Sequence, residues 1–237
     1  MFDNPALLQD FFIFELMRLL LLLITLILYT VAHAQSIEDK LFKKMCECLT
    51  FATTQKKALD DEKFDNCVSS DSSLNKELEE YLPKDDSLRS PDGYEFGRKF
   101  FNKNQIRLIH ECDGWFHFID SARYDFLNEV DKKEQQKQID SLTKLISINP
   151  DKSQLYQLRG LSFFSLLKLS DAQSDFDKAL SLAEASVQCL YFRGWIAEIN
   201  GMYDEAIKDY KMAKSLNEDS FLDTVIAIAE RKKKGKK

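Results

Sequence analysis

The apolar residues of this chain recur at helical spacing, three or four positions apart, over most of its length. A clear example begins near residue 37, and its apolar positions are Leu41, Met45, Cys48, Leu49 and Ala52. They predict an amphipathic helix over residues 37–53. The same spacing predicts short helices around residues 64–68 and 74–82. Residues 83–93 (PKDDSLRSPDG) are rich in turn-forming residues and predict a loop.

The pattern continues through an aromatic-rich segment, residues 94–130. We expect two helices there, divided near Asp113-Gly114, with their rings packed in a core; the alternative is that the rings line a ligand pocket. Farther along, an apolar stripe within residues 220–237 predicts a last helix. The chain has only 7 Gly and 4 Pro among its 237 residues, which favours helices joined by short turns. The predicted fold class is all-α.

The second half of the chain repeats itself at a fixed offset of 34 residues. Residues 154–182 align with residues 188–216 without a gap. Identical or similar pairs are Gln154 with Gln188, Arg159-Gly160 with Arg193-Gly194, Ala172 with Ala206, Asp175 with Asp209, Phe176 with Tyr210, Ala179 with Ala213, and Ser181-Leu182 with Ser215-Leu216. So many matches at one offset indicate a repeat architecture.

This pattern resembles the tetratricopeptide repeat, a helix-turn-helix unit with small residues at close helix contacts and an aromatic wedge between pairs. The resemblance implies units 153–186 and 187–220. A preceding unit, 119–152, is degenerate, because Phe126 stands at the glycine position and only the second helix, about 133–148, matches well. An open array end needs a covering helix, and residues 220–237 are expected to supply it.

The resemblance also implies a place for a partner. Partners of this family often lie in a concave groove lined by the first helix of each unit. Carried onto this chain, the groove residues are Gln154, Gln157, Leu161, Phe164, Gln188, Tyr191, Trp195 and Glu198. Tyr191 and Trp195 are one helical turn apart, and either anchor a bound peptide or pack against the cap or the N-terminal domain. The lysines and asparagines with which some repeats grip chaperone tails are missing from this face.

The N-terminus has the features of an export signal. A basic residue, Arg18, precedes the apolar run 19–28, and small residues stand at Ala32 and Ala34. We therefore expect a signal peptide over residues 1–34, with Met17 a possible true start. The alternative is a membrane anchor, although the apolar run is about half of the 20 residues that span a bilayer. Export implies a periplasmic or surface location.

Four cysteines precede the array and one lies within it. In an exported chain, an even set indicates disulfides. A hairpin of the helices on either side of residues 54–61 would bring Cys48 opposite Cys67, which leaves Cys46 to pair with Cys112. The alternative is a metal site formed by Cys46, Cys48, Cys67, His110 and Cys112, although this spacing matches no common zinc module. We expect Cys189 to be a buried small hydrophobe.

Composition and motifs reduce the number of candidate functions. The formal net charge of −6 gives no reason to expect a nucleic-acid partner. His110 and His117 belong to no recognisable catalytic arrangement, and there is no glycine-rich phosphate loop. The basic end, residues 231–237, is expected to be solvated rather than bound to a membrane. The sequence predicts a signal peptide (1–34), a cysteine-containing helical domain (35–130) and a repeat array with its cap (131–237). It favours a non-catalytic envelope adaptor without a cofactor; the alternative is a small-ligand or metal-binding N-terminal module.

Overall fold

A computed structural model of the chain describes residues 37–52, 63, 66–67, 70–81, 91–182 and 186–235. The predicted signal peptide, most of the predicted helix around residues 64–68 and most of the predicted loop lie outside these residues. Within them the regular structure is helical and no strand occurs, so the all-α prediction is confirmed.

The helices follow the periodicity of the sequence closely. We number them α1 (37–52), α2 (Ser72–Tyr81), α3 (Pro91–Glu111), α4 (Asp113–Ala122), α5 (Lys132–Ile148), α6 (Ser153–Ser165), α7 (Leu169–Leu182), α8 (Val187–Ile199), α9 (Tyr203–Leu216) and α10 (Ser220–Gly235). A 3₁₀-helix, Asp125–Glu129, separates α4 from α5. The predicted loop over residues 83–93 ends too late, because Pro91 opens α3. Proline suits a helix's first turn, where its missing N–H would have had no partner.

The chain divides into two units by its internal contacts. The first contains the described residues of 37–48 and 63–99. Its core holds Ile37, Leu74 and Leu78. A disulfide joins Cys48 to Cys67, whose Cα atoms lie 5.5 Å apart. The second unit contains residues 49–52 and the described residues of 100–235, so residues 100–130, which the sequence suggested as part of the first domain, fall with the array.

The second unit is built from helices that pack on their sequence neighbours from α5 to α10. One continuous core runs through them, and its largest fully buried side chains are Trp195, Tyr210, Phe164 and Phe176. The two repeats are the helix pair α6 and α7 and the helix pair α8 and α9. In the degenerate unit, only the second helix, α5, has a counterpart in the two clear repeats. Leu145 stands where the repeats carry a buried alanine, and it is 45% exposed because no helix of its own unit covers it.

The two helix pairs turn at equivalent positions. Leu167 and Gly201, 34 residues apart, both adopt the left-handed conformation, with φ of 56° and 72°. In each turn the following N–H reaches back five residues: Lys168 donates to Phe163 at 2.9 Å, and Met202 to Ala197 at 2.8 Å. These bonds satisfy carbonyls that would otherwise lack partners at the helix ends. The repeat therefore extends to backbone geometry.

The last helix, α10, is buried on two sides. One side, which includes Leu222, Val225 and Ala229, joins the core of the array. The other packs Ala227 and Ile228 against Ile109 and Phe116. The helix expected to cover the end of the array is thus itself covered, because α10 lies between the array and those residues of α3 and α4 that belong to the same unit.

Candidate functional site

Each repeat is held together by an arginine and an aspartate sixteen residues apart. Arg159 binds Asp175 through two hydrogen bonds of 2.7 Å, and Arg193 binds Asp209 through bonds of 2.7 and 2.8 Å. This bidentate geometry is the strong form of an arginine–carboxylate pair. Hydrogen bonding to the aspartate raises the pKa of each guanidinium, and burial opposes that shift.

The same two arginines also connect successive second helices. Arg159 donates to Thr143 on α5 at 3.1 Å, and Arg193 donates to Asp177 on α7 at 2.8 Å. Thr143 and Asp177 are themselves 34 residues apart, so this contact repeats with the array. The identity of Arg159 with Arg193 and of Asp175 with Asp209 was the signal in the sequence. The contact between each arginine and its aspartate depends on the geometry of the turn between the two helices, which the alignment of the repeats did not predict.

The repeat glycines lie directly under aromatic rings. A Cβ on Gly160 would come within 2.8 Å of the Phe176 ring, and one on Gly194 within 2.8 Å of the Tyr210 ring. The aromatic residue thus fills space inside its own helix pair. Phe176 also stacks on Phe192 of the following unit, with ring centroids 6.0 Å apart. The ring therefore serves both contacts.

The eight residues expected to line a groove differ in accessibility. Phe164, Trp195 and Glu198 are buried, Trp195 with only 2% of its surface exposed. Gln154 and Gln188 are exposed, and Gln157, Leu161 and Tyr191 are intermediate. Gln157 donates to Gln188 at 2.6 Å and so links α6 to α8. That these eight residues bind a partner stays a prediction, and Phe164, Trp195 and Glu198 expose at most a few per cent of their surface in this conformation.

A segment of the same chain covers two of these buried residues, Trp195 and Glu198. It spans residues 113–129, that is α4 and the 3₁₀-helix, and we call it the strap. The Tyr124 ring contacts the Trp195 ring edge-on at 5.2 Å, and the Arg123 guanidinium lies over Trp195 at 5.2 Å from the ring centroid. Leu127 packs on the same core. The strap thus occupies part of the face formed by the first helices.

A group of four charged side chains fastens the strap and α10 to the array. Arg123 binds Glu198 at 2.5 and 3.2 Å and Asp120 at 2.7 Å. Lys232 of α10 binds Asp120 at 2.7 Å and Glu198 at 2.9 Å. Tyr210 donates its hydroxyl to Glu198 at 2.8 Å. Two cations and two carboxylates alternate, so the group is electrically balanced and hydrogen-bonded. Sequence reasoning missed it, because Asp120, Arg123 and Lys232 lie outside the two clear repeats, 153–186 and 187–220, and follow no fixed spacing.

Burial and these charges act together on the pKa values. Burial would lower the pKa of Arg123 and of Lys232, but the charges and hydrogen bonds of Glu198 and Asp120 together outweigh it and the pKa of both is raised. Burial raises the pKa of Tyr191 to about 12 and that of Tyr210 well above its usual value. Both cations therefore stay charged, and both phenols stay neutral, near neutral pH.

An open cavity of about 810 Å³ lies beside the strap. Its lining comes from α3, the strap, α8 and α10, and consists of Gln105, Ile119, Ala122, Arg123, Tyr191, Phe192, Trp195, Ser220, Phe221 and Thr224. Most of this surface is apolar, and four of the residues are aromatic. Phe221 is 43% exposed and contacts the Tyr191 ring at 5.5 Å. A cavity of about 300–1,000 Å³ with apolar walls and few polar groups is typical of a binding site.

Three of the four described cations of the basic end are paired, although a solvated tail was expected. Arg231 donates to the carbonyls of Ile109 and Cys112, at 2.7 and 3.1 Å, and pairs with Asp113. Lys232 belongs to the charged group above, and Lys233 pairs with Asp204. These cations fasten α10 inside the second unit. Lys236 and Lys237 lie outside the described residues.

Other candidate sites are less developed. In the part of the chain that the structure describes, no cluster of three or more His, Cys, Asp or Glu side chains is arranged to hold a metal ion. Cys189 is a free, buried thiol whose pKa is raised by burial. Among the described helices, none is both long enough and apolar enough to cross a membrane.

Comparison with known families agrees with the geometry of the second pair. The family model described as tetratricopeptide repeat matches residues 187–220, which contain α8 and α9. A tetratricopeptide repeat is thus present at the position assigned from the 34-residue offset. Repeats of this kind generally mediate binding to proteins or peptides and are generally non-catalytic.

Proposed function

We propose that this protein is a non-catalytic adaptor that binds a segment of another protein in the cavity beside Tyr191 and Phe221. The observation that carries the proposal is an open, mostly apolar cavity on the first helix of a tetratricopeptide repeat. Large, partly exposed aromatic side chains in a pocket are the usual anchors of a protein interface. Tyr191 belongs to the groove predicted from the sequence, whereas Phe221 adds a wall from α10.

We further propose that the adaptor works outside the cytoplasm, in the cell envelope. The charged, apolar and small residues between Arg18 and Ala34 follow the order of an export signal. The disulfide between Cys48 and Cys67 is compatible with an oxidising compartment. Both features support export, and the partner is then expected among envelope or extracellular proteins.

Site-directed photocrosslinking tests the adaptor proposal. A photoreactive phenylalanine analogue is placed at Phe221 and, as a control, at Met212 on α9. The two native side chains are 43% and 41% exposed, so accessibility is matched. In intact cells we expect a defined adduct from position 221 that position 212 does not give. The purified partner should then bind the protein, and Phe221→Ala should weaken that binding at least about tenfold.

Two results would contradict this proposal. Identical adducts from both positions would mean that the cavity is not the contact surface. A partner whose affinity is unchanged in the Phe221→Ala protein would place the interaction elsewhere on the chain. Thermal unfolding of each variant, compared with wild type, establishes that the fold is intact.

A further inference from the structure

The chemistry of the cavity restricts what can enter it. Three of its rings, Tyr191, Phe192 and Trp195, come from one face of α8, and Phe221 comes from α10. The guanidinium in its wall, that of Arg123, is already neutralised by Asp120 and Glu198. A charged ligand group would therefore be surrounded by apolar rings and by a guanidinium that is already paired with two carboxylates. Burying such a group without a partner is strongly unfavourable.

One polar atom in this wall lacks an acceptor. The Arg123 side chain is only 5% exposed, and its terminal nitrogens are used by Glu198 and Asp120. Its Nε–H meets no acceptor with hydrogen-bond geometry among the described residues, although Tyr191 lies close enough to interact with the guanidinium. A buried donor without an acceptor is costly, and a ligand oxygen that reaches it would remove that cost.

We infer that the cavity receives a neutral peptide segment of the partner, which inserts a large apolar side chain among the rings and offers a carbonyl oxygen to Arg123 Nε. Every non-proline peptide unit carries such a carbonyl acceptor next to its side chain, so one residue supplies both features. This inference rests on the adaptor proposal and names the chemistry of the partner. It differs from recognition of an acidic tail, for which the cavity holds no unneutralised cation.

A peptide array tests this chemistry on the full-length protein. The probes are acetylated, amidated heptapeptides in a Gly/Ser background, with Phe, Leu, Ala, Asp or Lys at the central position. We expect the Phe and Leu peptides to bind at least about tenfold more tightly than the Asp and Lys peptides. Ala122→Trp should fill the cavity and lower binding at least about tenfold. Ser121→Trp, at the adjacent exposed position that does not line the cavity, should change it by less than about twofold.

Nuclear magnetic resonance tests the second contact. The Phe peptide should shift the Arg123 Nε–Hε signal downfield, because that proton gains an acceptor. The Arg107 Nε–Hε signal, whose nitrogen donates to Glu111 on the surface at 3.1 Å, should stay in place. An unmoved Arg123 signal in a saturated complex would overturn the proposed hydrogen bond.

The remaining outcomes separate this inference from the adaptor proposal. Preferential binding of Asp or Lys peptides that Ala122→Trp abolishes would overturn the neutral ligand and leave the adaptor function standing. If a partner crosslinks at position 221 but no peptide binds above background, the inference of a linear peptide segment is overturned and the adaptor proposal stands. Absence of both crosslinked partner and bound peptide would overturn both proposals.

Discussion

Gly160 and Gly194 allow the two helices of each repeat to pack closely, because glycine carries a hydrogen atom where other residues carry a Cβ. Each lies under the ring of the aromatic residue sixteen positions later, where a Cβ would come within 2.8 Å. A real Cβ does not approach an aromatic carbon so closely, and both rings are fully buried. The ring has no free space into which it can move, so the helices themselves would have to separate.

We predict that Gly194→Ala destabilises the protein by about 1–3 kcal/mol, the usual range for overpacking a core. Gly97→Ala is the control, because Gly97 is exposed within α3 and a Cβ there would meet nothing within 4 Å. That substitution should be neutral or stabilising by up to about 1 kcal/mol through helix propensity. Urea unfolding of both variants measures the difference, and equal effects would show that the ring contact is not limiting.

The turn residue Leu167 is strained where its counterpart is not. It holds a left-handed backbone that Gly201 adopts at no steric cost. Leu167 is exposed, so replacing it removes little buried surface. We predict that Leu167→Gly raises the free energy of unfolding by about 0.5–1 kcal/mol. Thermal unfolding should show a Tm higher by about 1–4 °C, whereas Gly201→Ala should lower it. A lower Tm for Leu167→Gly would contradict the strain.

Tyr191 makes stability depend on alkaline pH. Burial raises its pKa from 10.0 in an unfolded chain to about 12 in the fold. The folded state thus keeps a proton that the unfolded state releases above pH 10. The free energy of unfolding is unaffected by this group below that pH, and falls by up to about 2 kcal/mol as pH rises through the window between the two values. Tyr210, also raised, acts in the same direction.

We predict that Tyr191→Phe makes the alkaline loss of stability shallower. Urea unfolding at several pH values between about 9 and 12 gives the free energy for both proteins. The unfolding free energy of the wild type minus that of Tyr191→Phe should fall with increasing pH, because only the wild type carries a phenol at this position whose pKa is raised by folding. Parallel curves would indicate that Tyr191 titrates normally.

At the residue level, the sequence predicted those features that recur. Gly160, Phe176 and their counterparts were identified because two copies of one pattern stand 34 residues apart. Burial of Trp195 and Glu198 was not predicted, since it depends on Arg123 and Tyr124, which lie in the degenerate unit and have no counterparts in the two clear repeats. The spacing of residues along the chain does not predict a contact between residues 75 positions apart, such as that of Arg123 with Glu198.

On the scale of elements, the sequence predicted where the strap and α10 lie along the chain, but not which elements they pack against. Their helical periodicity gave their positions in the chain, and α4 and α10 begin where it indicated. What they pack against is decided by Asp120, Arg123, Lys232 and Glu198. Removing the shared carboxylate is therefore the most direct way to release both elements.

We predict that Glu198→Gln destabilises the protein by about 3–5 kcal/mol, because it leaves Arg123 and Lys232 buried with one carboxylate between them. Glu134→Gln, which breaks the exposed pair with Lys137, should change stability by less than about 1 kcal/mol. Hydrogen exchange under native conditions should show faster exchange in residues 113–129 of the Glu198→Gln protein. Exchange that rises equally in every helix would mean that the charged group is not specific to the strap.

For the whole molecule, the cysteines remain the main open prediction of the sequence. The bond between Cys48 and Cys67 is present, whereas the pairing of Cys46 with Cys112 stays a prediction from helix geometry. Combined cleavage after Glu47 and after basic residues separates Cys46 from Cys48, which makes the pairing measurable. We expect unreduced digests to contain one peptide pair with Cys48 and Cys67 and another with Cys46 and Cys112. Peptides that join Cys46 to Cys67 would contradict it.

The strap also has a consequence for how the protein would respond to its partners. It is tethered to the array, so it competes for the Trp195 face at a high effective concentration. If it were docked 99% of the time, a partner that needed that face would bind about 100-fold more weakly. A partner in the cavity instead touches Ile119, Ala122 and Arg123 of the docked strap. By thermodynamic linkage, such a partner and the docked strap each strengthen the other by the same free energy.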